Sequence, residues 1–154
     1  MQYFYPMKNL NLPGFACKIE KKTGKNTIFD TIRKKFVQLT PEEWVRQHFV
    51  HYLIDHLQYP KSLISIEGGL RYNRLKKRSD IVVYDRNGTP YMLIECKAPE
   101  VKVSQRIFEQ AAVYNQTLKA RYVVITNGLE HYCCEVDYGQ SSYQFIDQLP
   151  RYSS

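Results

Sequence analysis

The chain is 154 residues long, 44% hydrophobic and 24% charged, with a net charge of +7 and a pI near 9.2. A domain of this length buries enough apolar surface to fold without disulfide or metal staples, and no apolar run is long enough to span a membrane. The four cysteines, Cys17, Cys96, Cys133 and Cys134, form no CxxC pair, which argues against a zinc site and for reduced thiols in a cytoplasm.

In chain order, residues 1–39 read as an N-terminal extension. They show no basic segment followed by an apolar core, so no signal peptide is expected. Lys22-Thr23-Gly24-Lys25 reads as a hairpin turn. It is not a phosphate-binding loop, because Asn26 follows Gly24-Lys25 and Ile19 stands where the first glycine belongs. A helix is predicted from Thr40 to about Leu57. Thr40 is the N-cap, Pro41 sits at N1, and Glu43 at N3 completes a capping box. Val45, Phe49, Tyr52, Leu53 and His56 recur at helical spacing. Leu63 to Ile66 reads as a short strand, with Gly68-Gly69 as a turn. A hairpin from Ser79 to Lys97 follows, and Pro99 breaks its second arm. A helix capped by Ser104 then runs to about Ala120, with Ile107, Ala111, Tyr114 and Leu118 as its buried stripe. Arg121 to Thr126 and His131 to Val136 read as strands joined at Asn127-Gly128. The tail from Asp137 is polar, with one short helix the only expected element.

The central hairpin is the most informative segment. Asn-Gly between two β-rich runs is a strong hairpin signal. Centring the turn on Asn87-Gly88 sets Tyr84 against Tyr91, Val82 against Leu93, and Asp80 against Glu95. Alternation puts Lys97 on the face of Glu95. Facing side chains stand roughly 4.5 to 5.5 Å apart at Cβ, so two carboxylates there repel by a few kcal/mol at intermediate dielectric. Structure alone gives little reason for such a pair, whereas a divalent-cation site gives a strong one. Mg²⁺ takes a few carboxylate oxygens and completes its shell with water and phosphate oxygen.

The positive charge is clustered. Lys21, Lys22 and Lys25 form one group, Arg33, Lys34 and Lys35 a second, and Arg71, Arg74, Lys76, Lys77 and Arg78 a third that runs into Asp80. A basic run abutting a carboxylate pair favours a polyanionic substrate such as nucleic acid. Of the third group, Arg74, Lys76, Lys77 and Arg78 are the expected phosphate contacts. The 13 tyrosines suit base stacking, although core-edge packing explains most of them.

An Asp followed fourteen residues later by Glu-x-Lys, split across two facing strands, is the sequence form of the PD-(D/E)xK nuclease core. Gln110-Ala111-Ala112-Val113-Tyr114 fits the QxxxY motif that follows it in the nuclease domains of recombination helicases and restriction motors. With Arg78-Ser79-Asp80-Ile81-Val82-Val83-Tyr84, Ile94-Glu95-Cys96-Lys97-Ala98-Pro99 and Thr126-Asn127-Gly128, the chain resembles the N-terminal nuclease domain of type I restriction enzyme R subunits over residues 41–136. No helicase motor accompanies it, so a stand-alone domain is expected.

The resemblance implies an α/β restriction-endonuclease-like fold, with a mixed sheet of four or five strands flanked by helices. The core would be residues 40–137, followed by a tail at 138–154. It implies Mg²⁺-dependent DNA hydrolysis, with Mn²⁺ able to substitute. Asp80 and Glu95 would hold the metal with the Cys96 backbone carbonyl, and Lys97 would orient a water or stabilise developing charge. Gln110 and Tyr114, one helical turn apart, would lie close to the site and the DNA. Glu43 is either an acidic residue brought to the metal by the first helix or only a helix cap. His48, His51, His56 and His131 lack ligand-like companions and read as structural or surface residues. Two alternatives stay open: a non-catalytic DNA-binding accessory module, and a structure-specific junction nuclease. A homodimer, or assembly with restriction or repair subunits, is also left open.

Overall fold

The computed structural model describes residues 7–66 and 80–153, with Asp80 described by its backbone alone. The chain opens with a three-stranded antiparallel sheet of β1 (Ile19–Lys22), β2 (Lys25–Asp30) and β3 (Lys35–Gln38). The expected hairpin at Thr23-Gly24 is present. Both residues have positive φ, +47° and +79°, as a two-residue type I′ turn requires. The third strand was not expected. It follows because Asp30 folds the chain back, its carboxylate accepting from the Ile32 and Arg33 backbone N–H groups at 2.9 and 2.8 Å.

Helix α1 (Pro41–Asp55) starts as predicted, with the Thr40 hydroxyl accepting from the Glu43 N–H at 3.1 Å. Val45, Phe49 and Leu53 form its buried apolar stripe. The other side of the helix is also covered, since Arg46, Gln47 and His48 are buried as well.

Among the described residues the main sheet has six strands, where four or five were expected: β4 (Ile64–Ile66), β5 (Asp80–Tyr84), β6 (Pro90–Cys96), β7 (Tyr122–Thr126), β8 (His131–Asp137) and β9 (Ser142–Ile146). They lie in chain order, and all pairs are antiparallel except β6–β7. That parallel pair needs a long crossover, which α2 (Gln105–Leu118) supplies. The polar tail, where a short helix was expected, instead forms β9. Tyr143 and Phe145 alternate along it at helix-unfriendly period 2 and pair with Val136 and Cys134.

The central strands β5, β6 and β7 are buried on both faces. Ile81, Val83, Met92, Ile94, Cys96 and Val124 pack with Val45, Phe49 and Leu53 of α1. The alternate residues pack toward α2: Val82 and Leu93 with Tyr114 and Leu118, and Val123 and Ile125 with Phe108 and Ala111. Phe108 and Asn115 belong to the buried side of α2, beyond the stripe read from the sequence. Asn115 closes the helix by donating to the Ala120 carbonyl at 3.2 Å and accepting from its N–H at 2.9 Å, while Lys119 turns left-handed at φ +58°. No described helix is long and apolar enough to cross a membrane.

Candidate active site

The hairpin that carries the paired acids forms with its key register intact. Asp80 pairs with Glu95, and Val82 with Leu93. The turn itself differs from expectation. Gly88 N–H donates to the Asp85 carbonyl at 3.0 Å and Asp85 N–H to the Thr89 carbonyl at 2.9 Å. The central pair is therefore Arg86-Asn87, and Gly88 supplies the left-handed residue at φ +81°. This is the three-residue loop with a glycine bulge. The Asp85 carboxylate fastens it by accepting from Asn87 and Thr89 N–H groups at 2.9 and 3.0 Å. The loop shifts the pairing by one residue, so Tyr84 meets Pro90 and not Tyr91. An irregularity between Val83 and Tyr84 shifts it back. Pro90 has no N–H for the ladder, which is where a bulge costs least.

Alternation along β6 places Glu95 with Leu93 on the α2 side of the sheet, while Ile94 and Cys96 pack toward α1. Asp80 occupies the facing register position. Glu95 is only 3% exposed, yet its Oε2 lies 3.2 Å from the partly exposed Lys97 Nζ. The acid is thus held inside the fold and the amine sits at its edge. The segment after Lys97 is pinned. Lys97 N–H donates to the Thr126 carbonyl at 2.8 Å, and Asn127 Nδ2 donates to the Val101 carbonyl at 2.9 Å. Asn127 Oδ1 also accepts from Leu129 and Glu130 N–H groups. Thr126-Asn127-Gly128 therefore clamps the Glu-x-Lys segment from the neighbouring strand. Gly128 has φ +88°, where an L side chain is strained, and a Cβ there would come within 2.8 Å of Leu10 Cδ2 and 3.1 Å of Val45 Cγ2.

On α2, Tyr114 is half-buried and packs with Val82 and Leu93, the next register pair on the same face as Asp80 and Glu95. Gln110, one turn earlier, is exposed. Arg71, Arg74, Lys76, Lys77, Arg78 and the Gly68-Gly69 turn lie outside the described residues.

Glu43 has a different set of partners. Arg46 Nη1 donates to Oε1 and Oε2 at 2.8 and 3.0 Å, Gln47 Nε2 to Oε2 at 2.6 Å, and Arg33 Nη2 to Oε2 at 3.3 Å. Thr40 caps the helix, but these arginines and the amide engage the Glu43 carboxylate. Asp30 joins the cluster, accepting from Arg33 Nε at 2.8 Å and Gln47 Nε2 at 3.1 Å. Burial pushes the Asp30 carboxyl up, but the hydrogen bonds and charge of Arg33, with the Gln47 amide, outweigh it and hold it below its ordinary value. Sequence reasoning missed this cluster. Its signal was Glu43, Arg46 and Gln47 at i, i+3 and i+4, a pattern usually read as a solvated helix face.

The histidines are packing or surface residues, His56 being exposed. His131 sits between Thr126 Oγ1 at 2.7 Å and the Asn11 carbonyl at 3.0 Å. His48 bonds the Trp44 carbonyl through Nδ1 at 2.9 Å, His51 stacks on Phe15, and His56 stacks on Tyr52. The cysteines are all free thiols. Burial pushes Cys133 up to about 12 and Cys134 up to about 11, so neither supplies a thiolate nucleophile. Among the described residues, no group of three His, Cys, Asp or Glu side chains comes together as a metal cage.

The family model described as type I restriction enzyme R protein N terminus matches residues 41–150 of this chain. A search of curated proteins returns no match.

Proposed function

The chain belongs to the family of type I restriction enzyme R protein N termini, and from that premise we propose that it is a Mg²⁺-dependent deoxyribonuclease of restriction-endonuclease-like fold. One observation carries the reading: Asp80 stands register-opposite the buried Glu95, whose carboxylate meets the Lys97 amine at 3.2 Å. Two carboxylate residues at facing positions, with the Cys96 backbone between Glu95 and Lys97, fit a hard cation that keeps most of its ligands as water and phosphate oxygen. They do not fit a cation that needs a closed cage of side chains.

Asp80, Glu95 and the Cys96 carbonyl would hold the ion. A bound Mg²⁺ supplies positive charge to the scissile phosphate and acidifies water at neutral pH. Glu95 anchors Lys97 so that the ammonium stays at the site edge, where it stabilises charge building on the phosphate. Tyr114, beside the Val82–Leu93 pair, and the exposed Gln110 bring α2 to the same side of the sheet. The Arg74–Arg78 run, entering β5 from before Asp80, would contact the DNA backbone. Glu43 acts through the arginine cluster as a support of α1 and the N-terminal sheet. The contacts of its carboxylate favour this over a place at the metal.

The test is a cleavage screen of plasmid and oligonucleotide DNA with Mg²⁺ and Mn²⁺, run beside Lys97→Ala. Cleavage by the parent and none by the variant is the expected result. Equal activity of the two overturns the assignment, and a parent that binds DNA but cuts none favours the accessory-module alternative.

A further inference from the structure

An aromatic cavity stands beside the Glu95–Lys97 site on the same face of the sheet. Asp80, Glu95, Ile125 and Tyr132 are successive register partners across β5, β6, β7 and β8. Neighbouring strands lie about 4.8 Å apart, which sets the Tyr132 position about 10 Å from that of Glu95. Val103, Phe108, Ile125, Tyr132 and Phe145 line a cavity of about 200 Å³ there. Phe108 forms its wall, with ring centroids 5.4 Å from Phe145 and 5.1 Å from Tyr143. Tyr132 and Phe145 are 44% and 53% exposed. Core packing does not explain large rings so open to solvent, and a patch of this kind marks a binding surface.

We propose that this cavity holds one unpaired nucleobase of the DNA strand engaged at Glu95 and Lys97, so that the substrate is single-stranded DNA or a duplex with a frayed or extruded nucleotide. The inference rests on the nuclease reading above and adds the form of its substrate. The ligand must offer a flat apolar ring and an anion within one short reach, since Ile125 of the cavity wall is the register partner of Glu95, which holds the Lys97 amine. Exposed Lys102 and Arg106 flank the residues that line it. A nucleic-acid strand has both features at every residue. The space is smaller than the roughly 300–1,000 Å³ that takes a drug-sized ligand, and so suits a single ring. An intact duplex keeps its bases stacked and paired, whereas an unstacked base presents its face to aromatic side chains.

The test uses the full chain in EDTA, which withholds the divalent cation and prevents cleavage while keeping Lys97, with fluorescently labelled oligonucleotides. Phe145→Ala and Tyr132→Ala, both at exposed positions, are each expected to weaken binding of a single strand about tenfold. Phe145→Tyr should restore it. A strand of abasic residues should bind the parent and Phe145→Ala alike, and a 5-iodouracil-substituted strand should photo-crosslink to Tyr132 or Phe145. Single-strand binding that is absent, or indifferent to both alanine changes, overturns the proposal. So does a concentration-dependent dimer that Phe145→Ala dissolves, since a second copy would then cover the patch. Continued duplex cleavage once Mg²⁺ is restored, with binding indifferent to Phe145, removes this inference alone. Failure to cleave any DNA form removes the nuclease reading itself.

Discussion

At the start of α1, Asp30 and Glu43 are buried against Arg33, Arg46 and Gln47. At the end of β6, Glu95 is buried with Asp80 facing it in register and Lys97 two residues on. Both regions take carboxylates out of water, but they balance the charge differently. In the first, two acids meet two guanidiniums, and the planar donors fit the carboxylates in several hydrogen bonds. Such a cluster joins the end of β2 and the turn after it to the helix, with two acids balanced by two guanidiniums. In the second, two acidic residues are set at facing positions with a flexible ammonium at the edge. The difference teaches that buried acid by itself does not mark a site. Acid set opposite acid is the arrangement that the proposed cation would balance.

The largest effects should come from breaking the first region. Arg46→Ala removes a guanidinium that is 3% exposed and leaves the buried Glu43 with only Gln47 and the longer Arg33 contact, which should cost about 3 kcal/mol of stability. Thermal melting checks this. A melting temperature unchanged within error would mean that water reaches the cluster and the contrast between the two regions is weaker than drawn.

The second region should respond in the opposite sense. Asp80→Asn or Glu95→Gln should abolish Mg²⁺ binding in a calorimetric titration and lower cleavage by about 10²–10³-fold or more. The fold should stay as stable or become slightly more so, since one of two opposed charges is gone. A large drop in melting temperature would place this pair in the same structural class as the arginine cluster.

A smaller effect is expected from Lys76→Glu with Lys77→Glu. Phosphate contacts carry no base information, so binding should weaken on all sequences alike. Each lost contact should flatten the slope of log K against log salt by about 1. Binding that ignores both salt and the double reversal would mean that the basic run serves another purpose.

The smallest effect sharpens the structural reading of the histidines. Burial holds His48, His51 and His131 below the ordinary value of 6.5. As pH falls below 6.5 the unfolded chain takes up these protons first, so stability is greatest above that pH and declines toward the lower folded values. Asp30 is shifted below its ordinary 3.8, and its contribution is lost only as pH falls through that lower value. Melting temperatures measured from pH 7.5 to pH 5 should therefore fall gradually. A flat profile would show that these rings exchange freely with water.

Much of the site was legible because hairpin register is a local property. Two displacements cancel here. The loop centres one residue early, on Arg86-Asn87, and the irregularity beside Pro90 restores the pairing before Asp80 and Glu95 are reached. The turn was misread because Asn-Gly serves a two-residue and a three-residue loop equally well, and the Asp85 carboxylate decides between them. β9 was missed because its alternation is short and polar, and only pairing with β8 makes it a strand. Phe108 was left out of the buried stripe because its wall is built by Tyr143 and Phe145, which lie far along the chain.

The sequence by itself determined the two helices and their caps, the strand pair that opposes Asp80 and Glu95, and the placement of Lys97 beside them. These depend on side-chain period, capping chemistry and turn residues, all of which act within a few positions of the chain. Only the tertiary structure decided that Glu43 belongs to arginines, that Asn127 clamps the segment after Lys97, and that Tyr132 shares a row with Glu95. Those facts need strands and sheets from distant parts of the chain to be brought together. Pairing across a sheet, not spacing along the chain, sets which side chains meet.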